Sequence, residues 1–303
     1  MNRRAASLGL NVDAPAPPKD SQAKKPPAEE KKPVVVKPTS LPGVAAKNVT
    51  LASNKLTLSN RMELMRVSAG KFLMGSKNDN ILAFSDEKSQ HTVDIAYDYW
   101  AARHPVTNEL YAAYISSKGG KHPVDDWEKK KGHPVLYVDR ADAMAYCGWL
   151  NDLLKGELPS GLVLRLPTEA EWEKAACWLP SPRGGEALDY PWGNTFDKNK
   201  CNTSEGGKGA TTPVGLYSPQ GDSPYGCADM AGNVWEWTHS LKKAYPYQVV
   251  DGREDEKASG ARVLRGGSFY LDERLARGAC RGGRILYYRG GFRVVAGVPF
   301  RSV

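Results

Sequence analysis

The 303-residue sequence has five cysteines and no C-x-x-C pair. Neither a disulfide scaffold nor a paired-cysteine zinc or redox motif is therefore expected. No stretch approaches the ~20 consecutive apolar residues of a membrane-spanning helix. The N-terminal MNRRAASLGLNVDAPAPP carries an apolar run too short and broken for a signal peptide, so a cytoplasmic chain is the default expectation. The five histidines, His91, His104, His122, His133 and His239, are dispersed. They form no H-x-x-x-H or H-E-x-x-H pair, and three precede proline, which points to extended loops rather than metal ligands. There is no G-x-S-x-G and no phosphate-binding loop; Gly206-Gly207 reads as a turn. The net charge of +8 favours acidic partners. Without zinc-finger spacing or an RNP-like aromatic motif, it does not amount to a nucleic-acid signature.

What is present is material for a core: 41% hydrophobic residues, with eight Trp and fourteen Tyr. Residues 13–43 are rich in Pro, Lys and Ala and nearly free of aromatics, too poor in apolar surface to offset the entropy of ordering. Residues 1–55 are expected to be a disordered arm, a spacer or a docking tail for a partner, and 56–303 a single domain. MELMRVSAGKFLMGS (62–76) reads as two short strands around a turn at Ala69-Gly70, and HTVDIAYDYWAARHPV (91–106) suits a strand. Thr107 is placed to cap a helix that presents Leu110, Tyr111, Tyr114 and Ile115 and stops at Gly119. Asp139 caps a second helix, in which Ala141, Met144, Ala145 and Gly148 recur at helical steps. Thr168 and Glu171 form a capping box for a third, which gives Glu169, Glu171 and Glu173 a capping and dipole role. Cys147 and Cys177 fall in apolar helical patterns and read as buried hydrophobes. Beyond Leu179 only short strands are expected, in VWEWTHS, RVLRGGSFY and GGFRVVAG, so the fold class is α+β and loop-rich.

Eight fragments occur in a telling order: VSAGKFLMGS, HPVTNELYAAYI, HPVLYVDRADAMAYCGWLN, LRLPTEAEWEKAA, YPWGN, ADMAGNVWEW, LRGGSF and GGFRV. Together, over about residues 62–295, they resemble the formylglycine-generating-enzyme-like domain, also called the sulfatase-modifying-factor domain. The resemblance implies a C-type lectin-like fold, often holding calcium. Fold alone does not settle activity. Members of that family that oxidise a substrate cysteine use two thiols after the Gly-Gly-Ser turn, which hold Cu(I) in a linear site. By spacing from Gly266-Gly267-Ser268 those thiols would fall at Leu271 and Ala276. Neither is cysteine, and Cys280 alone cannot supply the geometry, so copper is not expected. Calcium is: the resemblance implies the side chains of Asp229 and Glu236 and the carbonyls of Gly232 and Val234 as its ligands, a donor set that calcium accepts. A second calcium site would use Asn202 and the carbonyl of Thr203, with Glu205 the nearest carboxylate for a displaced or missing acidic ligand.

With the oxidase chemistry lacking its thiols, the segment Phe269 to Arg289 has the composition of a contact face. Large amphipathic and forked side chains stand among glycines. The candidate ligand-binding residues are Phe269, Tyr270, Leu271, Asp272, Arg274, Arg277, Arg281, Arg284, Leu286, Tyr287 and Tyr288, for an unidentified protein or small ligand. Arg265 and Arg293, beside the Gly turns, are instead candidates to brace the core. A Tyr-, Arg- and Gly-rich segment ahead of a C-terminal Gly-Phe-Arg resembles that of the variable proteins of diversity-generating retroelements, which carry the same lectin-like fold and in which that segment is diversified. The alternatives are an accessory subunit or an enzyme of different chemistry in the same family.

Overall fold

Capping chemistry sets the three helices. A computed structural model of the chain describes residues 54–283 and 290–300; residues 1–53, which hold nearly all of the expected arm, lie outside it. Strands β1 (Lys55–Thr57), β2 (Glu63–Val67), β3 (Gly70–Met74), β4 (His91–Ile95) and β5 (Tyr99–Ala102) precede helix α1 (Asn108–Lys118). The Thr107 side chain accepts from Leu110 N, and Gly119 ends α1 in the left-handed conformation. Helix α2 (Arg140–Leu153) starts in a capping box of Asp139 with Asp142. Strand β6 (Val163–Arg165) leads to α3 (Glu169–Cys177), which starts in the Thr168–Glu171 box. The rest of the described chain is loops around β7 (Trp178–Leu179), β8 (Glu186–Ala187), β9 (Trp235–Leu241), β10 (Arg262–Arg265), β11 (Gly290–Gly291) and β12 (Val295–Gly297).

An antiparallel sheet in the order β1-β2-β5-β12-β6 brings the last strand between two early ones. A second sheet, β10-β9-β11, pairs β10 antiparallel and β11 parallel to β9. β3 and β4 form a separate hairpin, so the single strand expected over 91–106 is split between two sheets at a turn after Ile95. One core packs Tyr111, Tyr146, Trp235, Trp237 and Phe292 between α1, α2 and the sheets; a second gathers Phe72, Tyr99, Trp172 and Trp178 around α3. Helix α2 buries Ala143, Tyr146, Cys147 and Leu150, while Ala141, Ala145 and Gly148 face outward. Both stripes have helical spacing. The larger side chains decide, because burying Tyr and Leu removes far more apolar area from water than burying Ala or Gly.

α3 departs furthest from expectation. All nine of its residues are buried, including three glutamates. Capping and dipole effects account for Glu171, whose carboxylate also accepts from Thr168 N, but not for the depth of the other two. Each carboxylate meets a guanidinium. Glu171 binds Arg165 through two bonds of 2.7 Å. Glu169 takes Arg265 at 2.7 Å and Arg281 at 2.5 and 3.0 Å. Glu173 accepts from Gly75 N at 2.6 Å and lies 2.9 Å from Arg265. Although burial pushes the other way, the arginines hold Glu169 and Glu171 below the usual carboxylate range. Burial wins at Glu173 and raises it.

A carboxyl depressed in the folded state stabilises the fold above its unfolded value, and the contribution is lost as pH falls through the folded value. Glu169→Ala should therefore cost about 3–5 kcal/mol at neutral pH by leaving buried guanidinium unpaired. That deficit should shrink as the pH falls from the ordinary carboxylate value of about 4 through the depressed folded value, where the folded wild type protonates too. Urea unfolding of wild type and variant across pH checks both. Replacing Glu109, exposed in the first turn of α1, should move the midpoint little.

Candidate functional site

Strand β10 ends at Arg265, and the Gly266-Gly267 turn delivers the segment that the sequence marks as a contact face. Backbone bonds tie its first half to two neighbouring loops. Gly232 N donates to Gly266 O at 2.6 Å, Phe269 N to Asn233 O at 3.1 Å and Ser204 N to Leu271 O at 2.9 Å. Glu273 N donates to the Glu205 carboxylate at 2.9 Å. Phe269 and Tyr270 pack edge to face at 5.2 Å between ring centres, both half-buried, and Asp272 is exposed. Arg274 is half-buried too, with its guanidinium 3.6 Å from the centre of the Phe84 ring and its Nε on Leu82 O.

Arg277 and Arg281 require a correction as ligand contacts. Arg277 is fully buried and donates to the Glu87 carboxylate, Ser76 Oγ and Leu82 O. Arg281 is 6% exposed; besides Glu169 it reaches the carbonyls of Asp86 and Lys243 and lies over the Tyr245 ring. Their many donors serve the interior, because a buried guanidinium must satisfy every N–H nearby. Together Arg274, Arg277 and Arg281 fasten the loop 82–87 to the segment. Glu87, fully buried, and Phe84 thereby belong to the site, and nothing in the polar loop around them marked either one. Arg284, Leu286, Tyr287 and Tyr288 lie outside the described residues.

Where an oxidase of the resembled family needs thiols, the side chains are packed. Leu271 is half-buried against the main core. Ala276 is fully buried beside Cys201 and Ala231, under Trp192 and Phe196. Cys280 is 1% exposed and packs in the main core; burial pushes its thiol up to about 12, and that of Cys201 likewise. A thiol so held stays protonated near neutral pH and is a poor nucleophile.

The loop implied to hold calcium is built with backbone strain. Asp229 and Asn233 take φ of 54° and 63°. Gly232 is required there, because a Cβ would stand 2.2 Å from Asn202 O, its partner in a parallel bridge. The four implied ligands do not fit a calcium ion as they stand. Glu236 is fully buried, and both its oxygens are engaged, by Arg293 at 2.6 and 2.7 Å and by Trp172 Nε1 at 2.7 Å. Asp229 accepts from Gly215 N at 2.6 Å and Asn233 Nδ2 at 3.3 Å, and burial pushes its carboxyl up to about 6. No group of three or more His, Cys, Asp or Glu among the described residues is placed to hold a metal. At the second implied site Asn202 donates to Ala210 O and Asn233 Oδ1, while its own buried amide oxygen has no hydrogen-bond partner. The Glu205 carboxylate instead takes Glu273 N. Arg265 and Arg293 do brace the core, on Glu169 and Glu236. A cleft of about 390 Å³ opens between β3, the end of α3 and the β7–β8 hairpin, lined by Glu173, Cys177, Trp178, Asp189 and Ala279 among others; Arg281 is not part of it.

These features define a loop-rich α+β domain of the C-type lectin-like kind, and its solved neighbours agree. The structure of Treponema denticola variable protein 1 superposes with a TM-score of 0.62 at 24% identity, over 82% of this chain and all of that one. The chain belongs to the sulfatase-modifying factor enzyme 1-like domain family, whose model matches residues 50–298. It is 35% identical to the formylglycine-generating enzyme of Thermomonospora curvata, over 52% of this chain and 51% of that protein. It is 39% identical to the inactive C-alpha-formylglycine-generating enzyme 2 of Bos taurus, over 46% of this chain and 40% of that one. The chain thus spans about half or less of these relatives' lengths. No helix among the described residues is long and apolar enough to cross a membrane.

All five cysteines are free and buried. Under native conditions a thiol reagent such as Ellman's should label none of them within minutes and all five once urea is added. Fast labelling of one thiol in the folded protein would reveal an accessible thiolate and reopen cysteine chemistry.

Proposed function

We propose that this chain is a non-catalytic binding scaffold whose C-terminal segment, about 269–289, presents the contact surface, and that it serves as the variable protein of a diversity-generating retroelement. One observation carries the non-catalytic part: at both thiol positions stand apolar side chains, Leu271 and Ala276, and the second is sealed in the interior. Copper-dependent cysteine oxidation has no ligand pair on this chain. The binding part draws support from a division of labour along the segment. Phe269 and Tyr270 are partly exposed and Asp272 is exposed, on a backbone bonded to neighbouring loops, whereas Arg277 and Arg281 are committed to the frame. A surface that varies on a frame that does not is what a diversified binder needs. Likeness to the Treponema variable protein supports the fold such a role requires.

Substituting Phe269, Tyr270 or Asp272 should leave folding stability within about 1 kcal/mol, while Arg277→Ala should cost about 3–5 kcal/mol. Urea unfolding of the set checks this. A display library randomised at the three outward positions should yield binders to a chosen protein without loss of fold. Equal collapse of both groups would sink the contact-face reading. The diversity reading requires a template repeat in the source genome that matches the coding region of Gly267–Arg293 except at adenines. A second reading, an enzyme of other chemistry, draws on the cleft beside Glu173, whose carboxyl burial raises. Conversion of a cysteine peptide to formylglycine by the purified chain with Cu(I) and oxygen would overturn the non-catalytic assignment.

A further inference from the structure

A divalent cation in a protein loop is held by hard oxygens, carboxylate and carbonyl, that converge on one point. Such a convergence exists at the loop 228–236, and a side chain lies at its centre. Arg293 Nε donates to Glu236 Oε2 at 2.6 Å and Nη2 to Glu236 Oε1 at 2.7 Å, a two-pronged fit to one carboxylate. Nη2 also reaches the carbonyls of Ala228 at 3.0 Å and Asp229 at 3.3 Å. Nη1 reaches those of Ala102 at 2.9 Å and Arg103 at 3.3 Å. One carboxylate and four carbonyls therefore surround a single cation, Arg293 being 1% and Glu236 0% exposed. The Trp172 indole closes the remaining approach to Glu236 Oε2.

We infer that Arg293 is the resident cation of this loop, a guanidinium taking the place that a divalent ion would fill, so that the loop closes without metal. The charges favour this. Arg293 and Glu236 neutralise one another, and a dication added on the same carboxylate would meet a guanidinium a few ångströms away in a site with little water to screen the repulsion. The shape favours it as well, because the planar fork aims its N–H donors outward at oxygens already fixed by two strands and a loop. The cation arrives on the chain itself, between β11 and β12, beside the strand that lies between β5 and β6. Removing the guanidinium should leave a buried carboxylate among carbonyls, the donor set that calcium prefers.

The test is thermal unfolding of the full chain, stripped with EDTA, with and without millimolar calcium, as wild type, Glu236→Gln and Arg293→Ala. The midpoint of the wild type should be independent of calcium to within about 1 °C, or any shift should persist in Glu236→Gln, which would place that ion elsewhere, as at Asn202. Arg293→Ala should melt about 10 °C lower. Calcium, but not sodium at equal ionic strength, should restore part of the loss. A calcium-induced rise in the wild type that Glu236→Gln abolishes would overturn the inference. Should either variant fail to fold, terbium decides on the wild type and on Asn202→Ala. Trp172 donates directly to Glu236, so a lanthanide on that carboxylate would emit when tryptophan is excited. Calcium-competed emission in both proteins overturns the inference, and its absence from Asn202→Ala supports it.

Discussion

The burial of three glutamates on one short helix is the constraint around which the rest of this structure is arranged. A carboxylate in a protein interior is tolerable only when a cation and hydrogen-bond donors accompany it. Helix α3 carries Glu169, Glu171 and Glu173 into the interior, and the chain must bring arginine to each. Arg165 comes from β6, Arg265 from β10 and Arg281 from the far side of the contact segment. The last two converge on one carboxylate, so a single residue of α3 fixes where the segment begins and where it returns. Exchanging such pairs for apolar groups is often harmless to stability. Their consequence here is geometric: they set the path of a chain with few regular hydrogen bonds of its own.

The same arrangement separates two kinds of position within one short stretch. Side chains that turn inward at Ala276, Arg277, Cys280 and Arg281 are packed or ion-paired. Those at Phe269, Tyr270 and Asp272 lean outward from a backbone pinned to the loops at 204 and 233. The loop 82–87, tied down by three arginines, completes the frame. The family framework is thus kept here, with the apolar side chains of Leu271 and Ala276 packed at the two positions where the resemblance implies thiols.

Helix starts were legible because caps are local: Thr107, Asp139 and Thr168 each bond within their own next turn. The fold class and family were legible because eight fragments in order specify a whole domain. The buried face of α2 was not legible from spacing, which two stripes satisfied equally; side-chain size and the partners Tyr111 and Phe292 select the one with Tyr146. Arg277 and Arg281 looked like surface anchors because composition says nothing of depth. The carboxylates that bury them stand 190 and 112 residues away in sequence. The loop around Glu236 matched a calcium pattern, yet the cation on that carboxylate is a side chain 57 residues further on.

By itself, then, the sequence determined what depends on neighbours along the chain: the capped helices, the short strands, the missing thiol pair and the membership that ordered fragments confer. Tertiary structure decided which charged groups pair, which face of α2 is covered and which arginines of the C-terminal segment belong to the interior. The reason is physical. Helix caps and turns are satisfied within a few residues, whereas a buried charge is satisfied by whatever distant group the fold brings within about 3 Å of it.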